Sequence, residues 1–425
     1  LNSKTYWWDE AVYLGIAKNL ATKLYFGINF PFPEKLFDFY QYRLVIDESF
    51  RQPFFPFLLS FLYWFGESIE RILSPFFAFL TVLITYVLAK KIKNEEVGII
   101  ACLFLASSHY FLFFSSKILT ESLSSFLFVL SFYFLFLFEK NKRFLTQFSI
   151  AFSLSTLTRY TNAILIFPFL YTILRRKDLK SFFQFSIIAL LIMLPWLTFS
   201  YLRYNNPLGA LIVSLLEVST KKYFYYPSYY YLINLLEIFG LPIFFSLFFF
   251  LNWKKENKLL LSTLILIFLI FSLLPRKEFR YLVPFFSLFY ISSSIGIHNA
   301  IKQKRFLFII VSLIFLLEFF VSLKLLTVKE DDSLIKVANF LKEKVSEGDF
   351  IIGENYPVLN YLTKAYVLPF PGDLEHFWKV VKAFNVRYIV VDKEITVPPY
   401  ASELENYGFE KIFEYGDAKV LIKRV

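Results

Sequence analysis

Long apolar runs recur along the chain as far as Leu325 and limit the folds open to it. A bilayer-spanning helix needs about 20 predominantly apolar residues, and ten runs reach or approach that length. They lie at 72–89, 97–115, 122–138, 144–157, 161–174, 182–202, 231–251, 259–274, 281–299 and 306–325. Globular proteins are about 45–50% apolar, whereas this chain is 57% hydrophobic. The pattern predicts an α-helical polytopic membrane protein with about ten spans.

Several segments do not fit a simple span. The runs at 144–157 and 161–174 flank the polar turn 158–161, so we expect two short helices that meet there. Residues 53–66 contain two prolines and are too short to cross comfortably, which predicts an interfacial helix. The first residue is not methionine and no signal-like segment precedes the WWDE stretch at 7–10, so we expect an N-terminal membrane helix or signal anchor to be missing from this chain.

Cation-rich loops alternate with cation-poor ones. Lys and Arg make up half of five loops but less than a fifth of the alternate connections. The first set lies at 90–96, 139–143, 175–181, 252–258 and 300–305, and the second at 116–121, 158–161, 203–230 and 275–280. The positive-inside rule places the first set in the cytoplasm and, by parity, residues 1–71 and the tail outside. Because the net charge of +11 resides in the membrane part, lipid head groups explain it better than nucleic acid.

The tail after residue 328 is charged and mixed in pattern. Helices are predicted at 331–345 and 373–384, and strands at 349–354, 386–392, 409–415 and 418–424. Such alternation is typical of a small α/β domain. The predicted division is therefore a membrane domain at 1–328, with 1–71 as its first outer loop, and an outward-facing α/β domain at 329–425.

Ionisable residues that burial does not explain collect on the predicted outer side, at outside loops or helix ends. They are Asp9, Glu10, Arg51, Glu121, Arg159, Arg276, Lys277 and Arg280. Charged groups at membrane depth are functional candidates by default. Each also has a structural alternative: Asp9 could cap a helix, with Glu10 in its first turn, and the cations could reach lipid phosphates.

Seven motifs in order resemble the GT-C superfamily of membrane glycosyltransferases, in its protein O-mannosyltransferase, aminoarabinose transferase and RgtA/B/C/D-like branch. The likeness runs from residue 6 to about 290. The motifs are WWDEAVYLGIAKNL, RQPFFPFLL, ERILSPFFAFLTVLITYVLAKKI, SSKILTESLSSFLFVL, STLTRYTNAILIFP, LPWLTFSYLRYNNPLG and PRKEFRYLVPFF. Val12 stands where relatives often carry arginine, which moves an expected phosphate contact to Arg51 or to residues 276–280.

The resemblance implies a transferase that moves a hexosyl or pentosyl group from a polyprenyl phosphate to an acceptor hydroxyl on the outer face, with inversion. An acceptor hydroxyl needs a nearby carboxylate to take its proton. Asp9 is the expected general base, with Glu10 orienting the helix or the acceptor. Glu121 is a second acid, which either pairs with a cation or helps Asp9 to hold a divalent ion. The acceptor is a protein, a lipid or a glycan.

The leaving phosphate needs positive charge more than it needs a proton. Arg51, Lys277 and Arg280 are the expected phosphate-binding residues, because arginine suits bidentate contact and lysine supplies a point charge. Arg159 and Tyr281 are expected in supporting roles.

The sequence predicts no metal-binding residues, and Mg²⁺ or Mn²⁺ is the alternative. Carboxylate ligands suit Mg²⁺ or Mn²⁺, but two acids without a third do not make a site, so no metal ligands are predicted and the ion is an alternative only. The three histidines lie far apart in sequence without metal-binding spacing, and one cysteine excludes an internal disulfide.

Two rival functions fit part of the pattern. A lipid or polyprenyl-phosphate flippase without transferase activity would also have many spans and a basic outer rim. Transporters usually show repeats and charges within spans, whereas glycine is scarce here and the charges lie at span edges. An assembly protein whose tail binds a partner is the second rival. We expect an integral plasma-membrane protein with its active site on the extracytoplasmic face.

Overall fold

A computed structural model describes residues 6–28, 47–220, 225–252, 257–327, 331–392 and 397–424. Residues 29–46 of the predicted first outer loop lie outside the described residues. The chain divides into two compact units. The first unit comprises 1–51, 56–67 and 329–425, and the second comprises 52–55 and 68–328.

Helices dominate the described residues. The first ten are α1 (Trp8–Lys23), α2 (Phe54–Leu62), α3 (Glu67–Glu70), α4 (Leu73–Ile92), α5 (Glu95–Ala106), α6 (His109–Ser115), α7 (Thr120–Phe138), α8 (Leu145–Thr158), α9 (Ile166–Arg176) and α10 (Leu179–Tyr204). The next ten are α11 (Gly209–Thr220), α12 (Tyr230–Ile233), α13 (Leu235–Phe239), α14 (Ile243–Leu251), α15 (Lys258–Leu273), α16 (Phe286–Ala300), α17 (Lys304–Leu326), α18 (Ser333–Lys342), α19 (Tyr356–Thr363) and α20 (Leu374–Ala383).

Five helical stretches of the described chain are long and apolar enough to cross a membrane, or up to six if the bent pair α5 and α6 forms one span. The five are Glu67–Ile92, Thr120–Phe138, Leu179–Tyr204, Phe279–Ala300 and Lys304–Leu326. Within the described chain, the remaining predicted runs form helices that are shorter or broken, such as α8 and α15. The helical fold is confirmed, and the count of ten spans stays a prediction.

Burial sorts these stretches into inner and outer helices. In α7 and in Phe279–Ala300, 78% and 89% of the most apolar window is buried, against 17% in α10 and 28% in α17. The outer pair expose large apolar side chains such as Leu191 and Phe320. Because water would not favour so much exposed apolar surface, these faces suit lipid.

Helices α14 and α16 approach each other very closely at Gly296. A Cβ atom there would lie 1.8 Å from the carbonyl oxygen of Phe245. Small residues allow helix backbones to touch in membrane proteins. Gly296 is therefore required by the packing of this pair.

The predicted polar turn between two short helices is present. Helix α8 ends at Thr158, and a 3-10 helix at Tyr160–Leu165 leads into α9. Asn162 in this turn donates its side-chain N–H to Ser124 Oγ and to Ser155 Oγ, both at 2.8 Å. These bonds tie the turn to α7 and α8.

The C-terminal part of the first unit is an α/β domain with a five-stranded sheet of order β2-β1-β3-β5-β4. The strands are β1 (Phe350–Gly353), β2 (Tyr366–Leu368), β3 (Tyr388–Asp392), β4 (Phe409–Tyr415) and β5 (Ala418–Lys423). β1 is parallel to β2 and β3, whereas β5 is antiparallel to β3 and β4. The four predicted strands and helices α18 and α20 are confirmed, but α19 and β2 were not predicted.

Helix α1 packs against α19 within the first unit. Helix α19 follows β1 directly and carries Pro357 in its first turn, where the missing N–H would have no helical partner. At Gly353, the last residue of β1, a Cβ atom would lie 2.7 Å from Leu359. Glycine thus lets α19 lie close to the sheet, and α1 lies on α19.

Candidate active site

Asp9 and Arg51 form an ion pair in the first unit. A terminal guanidinium nitrogen of Arg51 lies 3.0 Å from Asp9 Oδ1, and both side chains are mostly buried. Arg51 Nε also donates to Glu48 Oε2 at 2.6 Å. One arginine therefore joins two carboxylates that are far apart in sequence.

Glu48 has further partners within the first unit. Its Oε1 accepts a hydrogen bond from Tyr356 at 3.1 Å and from Trp8 Nε1 at 3.3 Å. The Trp8 and Tyr356 rings meet edge to face with centroids 4.7 Å apart. Glu48 is fully buried, and its φ of +54° lies in the left-handed region that is uncommon for residues other than glycine.

Glu10 has a different environment from Asp9. It is fully buried, and its carboxylate accepts the backbone N–H of Trp7 at 2.9 Å. This N–H has no helical partner, and a carboxylate in the first turn also favours the helix dipole. Glu10 therefore fixes the start of α1 while Asp9 contacts Arg51.

Glu121 and Arg159 form a second ion pair, in the other unit. A guanidinium nitrogen of Arg159 lies 2.8 Å from Glu121 Oε1, with both side chains nearly buried. Glu121 lies in the first turn of α7, and Arg159 follows the end of α8. The Arg159 guanidinium also lies 5.7 Å from the centre of the Tyr281 ring. Glu121, Arg159 and Tyr281, all predicted site residues, are thus brought together.

Glu278 gathers three of its neighbours. Its Oε1 accepts hydrogen bonds from Arg276 Nε at 2.7 Å and from the Tyr281 hydroxyl at 2.8 Å, and its Oε2 accepts one from Arg280 Nε at 2.7 Å. Burial alone would raise the pKa of Glu278, but the charges of Arg280 and Arg276 more than offset it, so the pKa lies below its ordinary value. The segment 276–281 is therefore linked to the Glu121–Arg159 pair through Tyr281.

Lys277 has other partners than Arg280, although both were predicted to bind phosphate. Its ammonium group donates to the carbonyl oxygens of Phe271, Ser272 and Leu274 at the C-terminal end of α15. Carbonyl groups there lack helical donors and favour a cation. Burial lowers the pKa of Lys277. This lysine therefore fixes the end of α15 beside the Glu278 group.

Two carboxylates of these clusters were missed in the sequence. Glu48 and Glu278 each stand within three residues of an arginine, which is typical of a local surface ion pair worth little. Their burial gives them a larger role. Asp47, also fully buried, accepts a hydrogen bond from the Tyr25 hydroxyl at 2.5 Å. The sequence signal that could have identified Glu48 is the adjacent acidic pair Asp47-Glu48 near Arg51, which is similar to the adjacent acidic pair Asp9-Glu10.

Both clusters contain carboxylates, which are the ligands that Mg²⁺ and Mn²⁺ prefer. Among the residues that the structure describes, there is no group of three or more His, Cys, Asp or Glu side chains that could hold an ion. Asp9 and Glu121 instead each lie against an arginine. The chemistry that the described side chains can supply is proton transfer by a carboxylate and stabilisation of an anion by arginine and lysine.

A sequence model of the Alg9-like mannosyltransferase family matches residues 52–350, which is more than half of the chain. The chain belongs to this family. The Alg9-like chain is accordingly a glycosyltransferase of the GT-C superfamily, as the ordered motifs predicted. A search of curated proteins by sequence finds no match.

Solved structures share the fold of this Alg9-like chain. ArnT from Cupriavidus metallidurans, bound to undecaprenyl phosphate, superposes with a TM-score of 0.72 at 11% identity, covering 97% of this chain and 93% of that one. The archaeal oligosaccharyltransferase AglB from Archaeoglobus fulgidus, in complex with an inhibitory peptide and a dolichol-phosphate, gives 0.60 at 14% identity. That match covers 91% of this chain but 65% of AglB, so the chain spans less than two thirds of that protein. Identities this low establish the fold alone.

Proposed function

We propose that this chain transfers a sugar from a polyprenyl-phosphate donor to an acceptor hydroxyl, with inversion at the anomeric carbon. The observation that carries the proposal is the buried Asp9–Arg51 pair at the start of α1, in a member of a mannosyltransferase family. ArnT with undecaprenyl phosphate and AglB with a dolichol-phosphate support a lipid-linked donor. The family's description makes mannose the first sugar to test.

Asp9 is the general base in this proposal. The acceptor oxygen attacks the anomeric carbon, the bond from that carbon to the phosphate oxygen breaks, and Asp9 takes the hydroxyl proton. The free polyprenyl phosphate leaves as an anion. Arg51, with a guanidinium nitrogen 3.0 Å from Asp9 Oδ1, orients this carboxylate. Glu10 holds the helix start from which Asp9 projects.

Arg51, Lys277 and Arg280 are proposed to stabilise the leaving phosphate, with Arg159 and Tyr281 in support. Residues 276–280 contain three cations and one acid, so the segment keeps a net charge of +2 that suits an anion. In this role Glu278 holds Arg280 in a fixed position, and its single negative charge does not neutralise the three cations of the segment. Glu121 holds Arg159 in the same way. A Mg²⁺ or Mn²⁺ ion beside Asp9 or Glu121 is not required by this scheme.

The proposed setting is the outer face of the plasma membrane, where the positive-inside rule places residues 1–71 and the α/β domain. Membrane lipids surround the apolar helices. A protein, lipid or glycan supplies the acceptor hydroxyl.

The decisive variant is Asp9→Asn, which keeps the shape of the side chain but removes its basicity. Membranes containing the full chain would be supplied with polyprenyl-phosphate mannose and an acceptor mixture, and radiolabelled transfer measured. We expect the variant to lose at least about 100-fold in rate, the usual contribution of a general base. Asp417→Asn, an exposed aspartate in the turn before β5, is the matched control and should keep wild-type activity.

Three results would count against the proposal. Full activity in Asp9→Asn would refute the base assignment. Translocation of the lipid without sugar transfer by the wild-type chain would favour a flippase. Loss of transfer on chelation would require the divalent ion that the scheme leaves out.

A further inference from the structure

The α/β domain places a topological switch point beside the proposed base. In the sheet order β2-β1-β3-β5-β4, β1 lies between β2 and β3 and runs parallel to both. The chain passes from β1 to β2 on one side of β1, and then to β3 on the other side. Open α/β sheets of this kind usually bind their ligands outside the carboxyl ends of the strands, where the order reverses. Helix α19 begins three residues after β1 ends, so its first residue, Tyr356, lies near that edge.

In this chain the switch point contacts the N-terminal segment. Tyr356 is buried, donates its hydroxyl hydrogen to Glu48 at 3.1 Å and packs its ring against Trp8. Glu48 holds Arg51 Nε at 2.6 Å, and Arg51 contacts Asp9 at 3.0 Å. A continuous path of polar contacts therefore joins the first residue of α19 to Asp9, and it lies entirely within the first unit.

We propose that Tyr356 of the α/β domain is a positioning residue for the transferase reaction, acting through Glu48 and Arg51 on Asp9. The inference rests on the proposed function. Tyr356 touches neither sugar nor phosphate in this scheme; it fixes one oxygen of Glu48 so that the other oxygen faces Arg51. The domain that follows the last membrane helix thereby completes the machinery that begins at residue 9.

Three features make Glu48 the pivot of this arrangement. It is fully buried, so its charge needs the partners around it. Its two oxygens contact different groups, Tyr356 and Trp8 on one side and Arg51 on the other. Its left-handed backbone conformation at φ +54° costs free energy and persists only when neighbours fix it.

The effect should appear in turnover more than in donor binding. A small displacement of a catalytic group is enough to slow a reaction strongly, because the reacting atoms must be aligned. Tyr356→Phe removes the hydroxyl but keeps the ring against Trp8. We expect kcat to fall about tenfold and the KM for polyprenyl-phosphate mannose to stay within about twofold.

Tyr388→Phe is the matched control, because it removes a hydroxyl from β3 of the same domain, and it should keep the wild-type kcat. A double-mutant cycle with Glu48→Gln supplies the second readout, measured on the full chain in membranes. If Tyr356 acts through Glu48, the double variant should be no slower than Glu48→Gln alone, whereas independent effects would multiply.

The outcomes separate this inference from the proposed function. Wild-type kcat in Tyr356→Phe, an equal loss in Tyr388→Phe, or multiplied losses in the cycle would overturn the positioning role, while Asp9→Asn would still report on the base. If the wild-type chain transfers no sugar, the proposed function is refuted, and kcat no longer tests the role of Tyr356. The Tm values of the wild type, the two single variants and the double variant then test whether Tyr356 and Glu48 interact. Additive shifts in Tm would refute the contact itself.

Discussion

Glu278 shows how one carboxylate organises three side chains. Arg276, Arg280 and Tyr281 all donate to it, and it is largely buried. A buried charge of this kind is costly alone and is offset by well-placed donors. The residue was not a predicted site residue, yet it sets the positions of Arg280 and Tyr281, which were. We therefore expect Glu278 to stabilise the folded protein, and we expect this stabilisation to depend on pH.

Glu278→Gln should lower the stability of the protein at pH 7 by about 2 kcal/mol, because two arginines lose their counter-charge. The pKa of Glu278 in the folded protein lies below its ordinary value of 4.5. A lowered carboxyl pKa stabilises the fold above the unfolded pKa, and that stabilisation disappears as the pH falls through the folded one.

Thermal unfolding in detergent at pH 7 and at several values below 4.5 would check this. The Tm difference between wild type and variant should be largest near neutrality and shrink in acid. A difference that grows in acid would contradict the assigned sign. Glu375→Gln, an exposed acid on α20, is a control that should change little at either pH.

The sequence supported part of the candidate site. Asp9 and Glu121 were chosen because they lie in two of the ordered motifs, WWDEAVYLGIAKNL and SSKILTESLSSFLFVL, although a helix cap was an alternative for Asp9. The arginine partners of these acids were not predicted, because such pairs depend on how distant segments of the chain pack together. Arg51 was predicted to bind phosphate, and in the structure it also contacts Asp9 and Glu48. The carbonyl contacts of Lys277 likewise require the position of the α15 end, which no local pattern encodes.

At the scale of elements, run length and apolar content were enough to locate the helices. Every predicted run contains a helix in the described chain, because a long apolar segment has few ways to satisfy its backbone other than helix. Helix α19 and strand β2 were missed. Strand β2 has three residues and α19 has eight, so neither is long enough for a clear period.

Helix packing yields a prediction at Gly296. A methyl group at this position would overlap the Phe245 carbonyl oxygen, so Gly296→Ala should push α14 away from α16 and lower the Tm of the detergent-solubilised protein by several degrees. Gly372→Ala is the control, because a Cβ atom there meets nothing within 4 Å. Equal Tm values for both variants would show that the two helices lie further apart than described.

At the scale of the whole molecule, the two units divide the chain differently from its linear order. The sequence assigned residues 1–71 to the membrane domain by their position alone. In the structure, 1–51 and 56–67 group with 329–425, because α1 packs against α19 and Tyr6 donates to Glu67 at 2.6 Å. Contacts between segments near opposite ends of the chain are set by tertiary packing, which periodicity and composition do not report.

The orientation of the chain can be tested with engineered cysteines. In a Cys102→Ala background, which removes the one native cysteine, Ser402→Cys in the α/β domain should react with a membrane-impermeant maleimide on intact cells. Lys302→Cys, in a cation-rich loop, should react only after permeabilisation. Both side chains are exposed, so access to the thiol itself is comparable. The reverse labelling pattern would place the domain and the proposed base in the cytoplasm.

The first unit joins segments that are far apart along the chain, which has a consequence for biosynthesis. Helix α1 is synthesised at the start of this chain, but its partner α19 emerges only after the apolar helices between them have been made. Translation adds about 5–20 residues per second, so the N-terminal segment waits tens of seconds for the surface on which it packs. A ribosome that stops early would leave a membrane-inserted product with Trp8 and Glu48 uncovered by Tyr356. Such a fragment would expose surface that the longer product covers, which makes it a natural substrate for quality-control proteases.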